Sequence, residues 1–179
     1  MSLEVSSLRA LAHPVRLQIL SLLTGTSMSA ADIARQLDIT QANASYHLRQ
    51  LAAVGEVVEA GERKIRGGTT KLYRHPWEER SHQDRSDAGS DDKQLYLQAF
   101  ASEMVRRYAT YEPGQGAFTD AELWVDPEVW SDVVEATGEA SMRLHRAAQP
   151  PGTEGTVRVS MTTALFRMQQ TDPKAKGES

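Results

Sequence analysis

The spacing of apolar residues predicts a helix close to the start of the chain. Leucine, isoleucine and valine side chains between Leu8 and Leu23 recur every three or four residues, which places them on one face of a helix. Pro14 interrupts this stretch and fits only the first turn of a helix. We therefore expect a short turn, followed by a helix that begins near His13 and Pro14 and ends at Gly25.

Two further short helices have start signals of their own. Ser29 and Asp32 have the spacing of a capping box, so a helix is expected over residues 30–37. Thr40 is suited to cap a third helix, which should extend from residue 41 to about residue 54. The inward positions predicted for the third helix are Ala44, Leu48 and Leu51.

A β-hairpin is predicted directly after the third helix. β-branched or alternating stretches at residues 56–60 and 69–75 flank a segment bounded by glycines, residues 61–68. This arrangement is typical of two antiparallel strands joined by a long loop. The loop contains three cationic side chains, Arg63, Lys64 and Arg66.

The second half of the chain has a different pattern. Residues 77–90 are almost entirely polar, which predicts a linker. After it, the apolar pattern predicts the order helix–strand–helix–strand. These elements cover residues 91–111, residues 117–125, a helix that begins at Asp126-Pro127, and residues 156–168, before a polar tail at 171–179. The residues expected to face inward on the second of these helices are Trp130, Val133, Val134, Thr137, Ala140 and Leu144.

Together these elements predict an α+β fold with two parts. Residues 1–76 would form a winged helix-turn-helix domain, in which a hairpin follows three helices. Residues 91–170 would form a dimerisation region, which is also the candidate region for an effector. A heptad-like apolar seam on the helix over 91–111 is the predicted contact between two copies. The seam consists of Leu97, Phe100, Met104, Tyr108 and Tyr111.

Polar side chains cover the predicted outward face of the third helix. Asn43, Arg49 and the glutamines at both ends can contact base edges, while Ser45 and Tyr46 can hold phosphates. For Arg49 we expect a phosphate contact, and an ion pair with Glu56 is the alternative. An α-helix fits the DNA major groove, which is about 12 Å wide. The basic hairpin is suited to the adjacent minor groove or to phosphates. The pattern therefore favours double-stranded DNA as the partner.

The distribution of charge supports the same partner. The whole chain has a net charge of −4. Residues 1–76, however, carry nine Lys or Arg and six Asp or Glu, a net charge of +3, and the remaining residues have a net charge of −7. A basic part on an acidic body indicates that a polyanion would contact the N-terminal domain.

Three segments resemble the arsenic-resistance-repressor (ArsR) family of bacterial winged-helix regulators. They are residues 11–20 (LAHPVRLQIL), 30–37 (AADIARQL) and 40–51 (TQANASYHLRQL). The first is similar to the first-helix signature of that family and the third to its recognition-helix pattern. The resemblance extends over residues 5–76, with all three motifs in the family's order and spacing.

The resemblance implies a homodimer on a palindromic operator, usually acting as a repressor. It also places Gln41, Asn43, Ser45, Tyr46 and His47 where family members approach DNA. His47 lies next to the apolar stripe of the third helix, so packing within the domain is the alternative role for it. The complete set of candidate DNA contacts is Thr40, Gln41, Asn43, Ser45, Tyr46, His47, Arg49, Arg63, Lys64 and Arg66.

The chain departs from the metal-sensing members of that family. Those members use cysteines in the third helix, or histidines and acids in a C-terminal helix. This chain has no cysteine, and no histidine lies between Leu95 and Tyr111. We therefore predict no metal site and no cofactor. The second half is longer than the usual family core and resembles the C-terminal extensions of actinobacterial members.

Other classes of function have less support in the sequence. The lack of cysteine excludes disulfides and thiolate chemistry. No phosphate-binding loop, nucleophile elbow or metal-ligand spacing points to an enzyme. No apolar stretch is long enough to cross a bilayer, and no secretion signal is visible, so a cytoplasmic location is expected.

Two alternatives stay open at this point. The winged helix could dock a protein instead of DNA. Alternatively, the second half could be a small-molecule sensor, with a pocket between its aromatic side chains that controls DNA release. Those aromatic residues are Phe100, Tyr108, Tyr111, Trp124 and Trp130.

Overall fold

The computed structural model describes residues 7–79, 89–114 and 116–169. The elements in these ranges are α1 (Ser7–Leu11), α2 (Pro14–Leu23), α3 (Ala30–Leu37), α4 (Gln41–Ala53), β1 (Val58–Ile65), β2 (Gly68–Arg74), a 3₁₀ helix (Trp77–Glu79), α5 (Ser90–Tyr108) and α6 (Pro127–Ala147). The α+β class and the three predicted helices followed by a hairpin are confirmed, and a short helix, α1, takes the place of the turn predicted before Pro14. Residues 80–88 of the predicted linker and the predicted tail, residues 171–179, lie outside the described residues.

Side-chain caps define the predicted helix starts. His13 Nδ1 accepts a hydrogen bond from the Val15 amide at 3.2 Å, and Pro14 occupies the first turn of α2. At α3, Ser29 Oγ accepts from the Asp32 amide at 3.2 Å, while the Asp32 carboxylate accepts from the Ser29 amide at 3.1 Å. These caps satisfy amide groups that a helix cannot pair internally.

One apolar core joins α1 to α4 and the start of the hairpin. Ile33 of α3 is 0% exposed, and Leu48 of α4 is 1% exposed. Burial of each such side chain contributes about 1.5–3 kcal/mol. The buried cluster consists of Leu8, Leu11, Ile19, Leu20, Leu23, Ile33, Ala34, Ala44, Leu48, Leu51 and Val57. The predicted inward face of the third helix is therefore confirmed.

The hairpin has a shorter tip than the sequence predicted. The strands are antiparallel, and Ile65 pairs with Gly68, which leaves a turn at residues 66–67. The register shifts around Gly61, whose φ is +98°. The long loop predicted over residues 61–68 is therefore wrong, because a glycine at positive φ lets β1 bulge without leaving the ladder.

Backbone pairing anchors the hairpin to the helical part. The Met28 amide donates to the Tyr73 carbonyl at 3.0 Å, and the Tyr73 amide donates to the Met28 carbonyl at 2.9 Å. Both side chains also pack against the apolar core. The base of β2 is therefore fixed to the segment that leads into α3.

Helix α5 packs against α1 and α2 through a face that includes Ala99 and Glu103. It ends at Tyr108, whereas the sequence predicted an end near Tyr111. Pro113 follows closely, and residues before a proline avoid the helical conformation. Tyr111 nevertheless stacks on Tyr108, with ring centroids 5.4 Å apart.

The two strands predicted in the second half are absent from the described residues. No strand is present at residues 117–125 or at residues 156–168. Alternating side chains are necessary for a half-buried strand, but a strand forms only when its backbone groups pair with a neighbour. Among the residues that the structure describes, the hydrogen-bonded sheet consists of β1 and β2 alone.

Helix α6 also differs from the prediction. None of its residues is buried, including the six that were expected to face inward. The helix approaches the N-terminal part at its C-terminal end, where the His145 ring lies 5.3 Å from the Trp77 ring. A Cβ on Gly25 would lie 2.9 Å from the backbone of Ala148, so this approach requires glycine at that position. Along the rest of α6, the side chains are exposed or half-buried.

The buried face of α4 should dominate the stability of the N-terminal part. Leu48→Ala is expected to lower the free energy of unfolding by about 2–5 kcal/mol, since it leaves a cavity in the shared core. The same change at Leu95, which is 44% exposed on α5, should cost about 0.5 kcal/mol or less. Urea unfolding followed by circular dichroism measures both values. Equal losses for the two variants would contradict the assigned core.

Candidate nucleic-acid interface

The outward face of α4 is exposed along its length. Thr40 caps the helix by accepting a hydrogen bond from the Asn43 amide at 3.2 Å. The exposed residues of this face are Gln41, Ala42, Asn43, Tyr46 and Arg49, and Ser45 and Gln50 are half-buried. Because Ala44, Leu48 and Leu51 are buried, the polar side of the helix is directed away from the core. Its arginine and asparagine are thus available to a ligand.

The turn between α3 and α4 fixes how the two helices cross. Asp38 has a φ of +53° and a ψ of +47°, the left-handed conformation that ends many helices. The Ile39 amide donates to the Ala34 carbonyl at 3.0 Å, and the Ile39 side chain packs against the core. The left-handed conformation of Asp38 and the packing of the Ile39 side chain together hold α4 in a single orientation on α3.

His47 was predicted among the DNA contacts, but its side chain lies in the core. Its side chain is buried, 4% exposed, and its ring centroid lies 4.6 Å from that of His13. Burial, reinforced by the nearby His13 and Arg16, lowers the pKa of His47 to about 4. At helical spacing His47 is one position before Leu48, so it falls on the inner side of α4. A buried neutral imidazole is a packing group here, and the prediction that it contacts DNA is corrected.

Arg49 and Tyr46 keep their predicted exposure. An ion pair between Arg49 and Glu56 was the alternative to a phosphate contact. Glu56 is 0% exposed and accepts a hydrogen bond from Ser7 Oγ at 2.5 Å, whereas Arg49 points into solvent. Tyr46 is 49% exposed and packs edge-on against His47 rather than being enclosed. Both side chains can therefore reach a ligand laid along α4.

The three cationic side chains of the hairpin differ in their contacts. Arg63 donates to the Asp32 carboxylate at 2.6 Å, so it ties β1 to the first turn of α3. Arg35 pairs with the other oxygen of the same carboxylate. Lys64 and Arg66 are exposed close to the tip. Arg63 thus positions the hairpin, and the charges at the tip are the ones directed outward.

Asp32 is a junction that sequence reasoning recognised only as a helix cap. Burial by itself would raise the pKa of Asp32, but hydrogen bonds from Ser29 and Arg63 lower it to about 2. The carboxylate therefore stays ionised at neutral pH and holds the capping box and the hairpin together. No sequence signal pairs Asp32 with Arg63, because they lie 31 positions apart.

Glu103 is a buried acid whose role the sequence did not predict. It is 2% exposed on α5 and accepts a hydrogen bond from Gln18 of α2 at 2.6 Å. Burial opposes its charge, yet hydrogen bonds from Arg106 and Gln18 keep its pKa below the ordinary value. The signal was available in the spacing, since Arg106 and Arg107 follow at helical neighbour positions. Through this contact α5 is fixed to the helix that supports α4.

The predicted seam on α5 faces solvent in the single chain. Leu97, Met104 and Tyr108 are 50%, 49% and 58% exposed, and Phe100 is half-buried against Tyr96. Tyr111 lies beyond the helix end, as described above. The aromatic residues weighed as a ligand pocket do not surround one space. Tyr108 and Tyr111 contact Phe118, whereas Trp124 is 87% exposed.

Comparison with known proteins gives a local match. Residues 11–59 match the family model described as a helix-turn-helix domain. These residues include α2, α3 and α4, so the N-terminal part of the chain contains a helix-turn-helix domain followed by a two-stranded wing.

Several solved chains match this one, and one of them is similar over part of its length. It is the crystal structure of a possible transcriptional regulatory protein (fragment 1–100) from Mycobacterium bovis, with 28% sequence identity and a TM-score of 0.32. The match covers 57% of this chain and 86% of that one. The comparison with curated proteins finds no match. Among the described residues, no helix combines the length and the apolar character needed to cross a membrane.

The buried His47 should make stability depend on pH. Its folded pKa, about 4, lies below the unfolded value of about 6.5. Between these values the unfolded chain binds a proton that the folded chain does not, so the free energy of unfolding falls as the pH falls from about 6.5 to 4.

The His47→Gln variant has no imidazole to protonate at this position. Its stability should therefore fall less steeply over that range, as measured by urea unfolding at several pH values. Parallel curves for wild type and variant would show that the imidazole is not held neutral.

Proposed function

We propose that this protein is a homodimeric, sequence-specific transcription regulator that binds double-stranded DNA. Helix α4 lies in the major groove of each half-site, and the wing contacts the flanking DNA. The observation that carries this proposal is the exposed polar face of α4. This face is directed outward because the apolar side of the same helix is buried in the core. The local match to a helix-turn-helix domain supports the same conclusion.

The proposed DNA contacts are of two kinds: cationic side chains that position the protein on phosphates, and amide side chains that recognise bases. Arg49 and the exposed tip cations Lys64 and Arg66 bind phosphates, which supply affinity without sequence information. Asn43 and Gln41 have the amide groups that pair with adenine edges in the major groove. Arg63 contributes by holding the wing against Asp32. Residues 1–76 then form the DNA-binding unit.

Dimerisation follows from what a specific DNA site requires. One recognition helix buries too little surface for a specific site, while two helices one DNA turn apart suffice. The exposed seam on α5 supplies a surface that a second copy fits. The bond between Glu103 and Gln18 supports this role, because it links the seam helix to the DNA-binding unit. By its resemblance to ArsR-type regulators, we infer that the protein acts as a cytoplasmic repressor on a palindromic operator.

Replacing Arg49 and Asn43 should separate affinity from specificity. Arg49→Ala is expected to weaken binding to operator and random DNA alike. It should also reduce the slope of log K against log salt by about 2 per dimer, since two phosphate contacts are lost. Asn43→Ala should lower operator affinity by about 1–3 kcal/mol per half-site and leave binding to random DNA unchanged.

Fluorescence anisotropy over a salt series measures these effects. Gln98→Ala on the exposed side of α5 is the matched control and should alter neither quantity. Equal losses on operator and random DNA for Asn43→Ala would refute its role in base recognition. A wild-type affinity that does not change with salt would refute DNA binding by these cations.

Placing charge on the α5 seam should separate the subunits. Leu97→Glu together with Met104→Glu puts two like charges into the seam of each copy, so the dimer is expected to weaken by at least tenfold. Operator binding should weaken with it. Gln98→Glu with Ser102→Glu adds the same charge to α5 off the seam and should leave both properties unchanged. Sedimentation at micromolar concentration measures association, and an undisturbed dimer in the seam variant would overturn the assignment.

A further inference from the structure

The tip of the wing differs from its base in how the cationic side chains are paired. Near the base, each cationic side chain has an acidic partner at 2.6 or 2.7 Å. The pairs are Arg63 with Asp32, Lys71 with Glu59 and Arg74 with Glu79. In the part of the chain that the structure describes, no ion pair involves Lys64 or Arg66. Both are exposed, so the two charges at the tip are available to an anion outside this chain.

An aliphatic side chain lies between these two cations. Ile65 is 51% exposed. The other large apolar residues of the two strands are half-buried: Val58, Leu72 and Tyr73. One exposed apolar residue is common on protein surfaces, but one flanked by cations without acidic partners matches a ligand with charged edges and apolar walls. The minor groove of DNA is such a ligand, and several proteins place an apolar side chain in it.

The tip of the wing is narrow enough for this groove. Ile65 forms the last pair of the ladder, with Gly68. Neither Gly67 nor Gly68 has a side chain, and apart from their chain neighbours no heavy atom of the described residues lies within 4 Å of where their Cβ atoms would be. Paired strands lie about 4.8 Å apart, and the minor groove is about 6 Å wide. The end of a hairpin therefore fits the groove when one of its strands presents no side chain, as here.

The base of the wing fixes the side on which Ile65 lies. The ladder is regular between Arg63 and Ile65, so these two residues share a face of β1. Arg63 is directed to Asp32 on α3, which places Ile65 on the side of the wing that faces the helix-turn-helix. When α4 lies in the major groove, this side of the wing faces the same duplex.

We propose that Ile65 enters the minor groove beside each half-site and determines which base pairs are accepted there. This inference rests on the proposed function and deepens it, because it assigns a sequence preference to the wing. Lys64 and Arg66 bind phosphates on the two edges of the groove, and Ile65 contacts the base edges at its floor. A·T and G·C pairs differ there by the 2-amino group of guanine. The aliphatic side chain cannot accept a hydrogen bond from that group and collides with it, so A·T pairs are preferred.

A base analogue separates minor-groove from major-groove recognition of the flank. The inosine·cytosine pair, I·C, has the major-groove face of G·C but lacks the 2-amino group. Fluorescence anisotropy measures binding of the full-length protein to a duplex selected from random sequence, in which the pairs flanking each half-site are all A·T, all I·C or all G·C. Wild type should bind the A·T and I·C duplexes within about twofold of each other and the G·C duplex about tenfold more weakly.

The Ile65→Ala variant removes the apolar contact and keeps both cations. It should bind the A·T and I·C duplexes about tenfold more weakly than wild type and the G·C duplex within about twofold of wild type. The slope of log K against log salt should not change, because the phosphate contacts remain. Val129→Ala, at a similar exposure of 49% on α6, is the matched control and should keep the wild-type preference among the three flanks.

Chemical protection gives a second readout that does not depend on affinity. Dimethyl sulfate methylates adenine N3 in the minor groove and guanine N7 in the major groove. Wild type should protect adenine N3 in the A·T flank, whereas Ile65→Ala should leave it reactive. Guanine N7 inside the half-sites should be protected by both proteins, which shows that α4 remains in place.

Two results would overturn the inference. Equal binding of the I·C and G·C duplexes, with the A·T duplex different, would assign recognition of the flank to the major groove. Equal binding of all three duplexes, or an unchanged preference in Ile65→Ala, would mean that the wing contacts phosphates alone. Either result is compatible with a salt-dependent preference for the selected duplex over random DNA, so the proposed function would stand. Absence of that preference in wild type would instead contradict the proposed function itself.

Discussion

The burial of the inner face of α4 is the constraint on which the N-terminal structure depends. Ala44, Leu48 and Leu51 are each at most 1% exposed, in contact with α2 and α3. A helix of 13 residues is marginal by itself in water, so this packing keeps it folded. The same packing directs its polar face outward. Stability and the candidate DNA surface therefore come from opposite sides of one short helix.

Two ionised carboxylates fix the neighbouring elements, the wing and α5, to the helical core. Asp32 holds the wing to α3 through Arg63, and Glu103 holds α5 to α2 through Gln18. Glu103 is buried and Asp32 is half-buried, and each is compensated by several hydrogen bonds, which is the condition under which a charge is tolerated away from water. As a result, the wing, the recognition helix and the α5 seam have fixed relations to one another. Such fixed relations are needed if two subunits are to match the spacing of two half-sites.

The second half of the chain differs from the first in how little of it is buried. Its helices and segments have apolar faces as marked as those of the first half, but α6 buries none of its residues. Among the described residues, the predicted strand segments 117–125 and 156–168 join no sheet.

Local signals along the chain were sufficient to predict the helices and the hairpin of the N-terminal part. Capping residues such as Ser29 and Thr40, the proline at position 14 and the apolar spacing of α4 act over a few residues, so the helices, the hairpin and the polar face were predictable. The pairing of Arg63 with Asp32 and the solvent exposure of α6 are visible only in the folded chain. These depend on contacts between residues distant in sequence, or on a partner strand, and periodicity contains no information about whether such a partner is present.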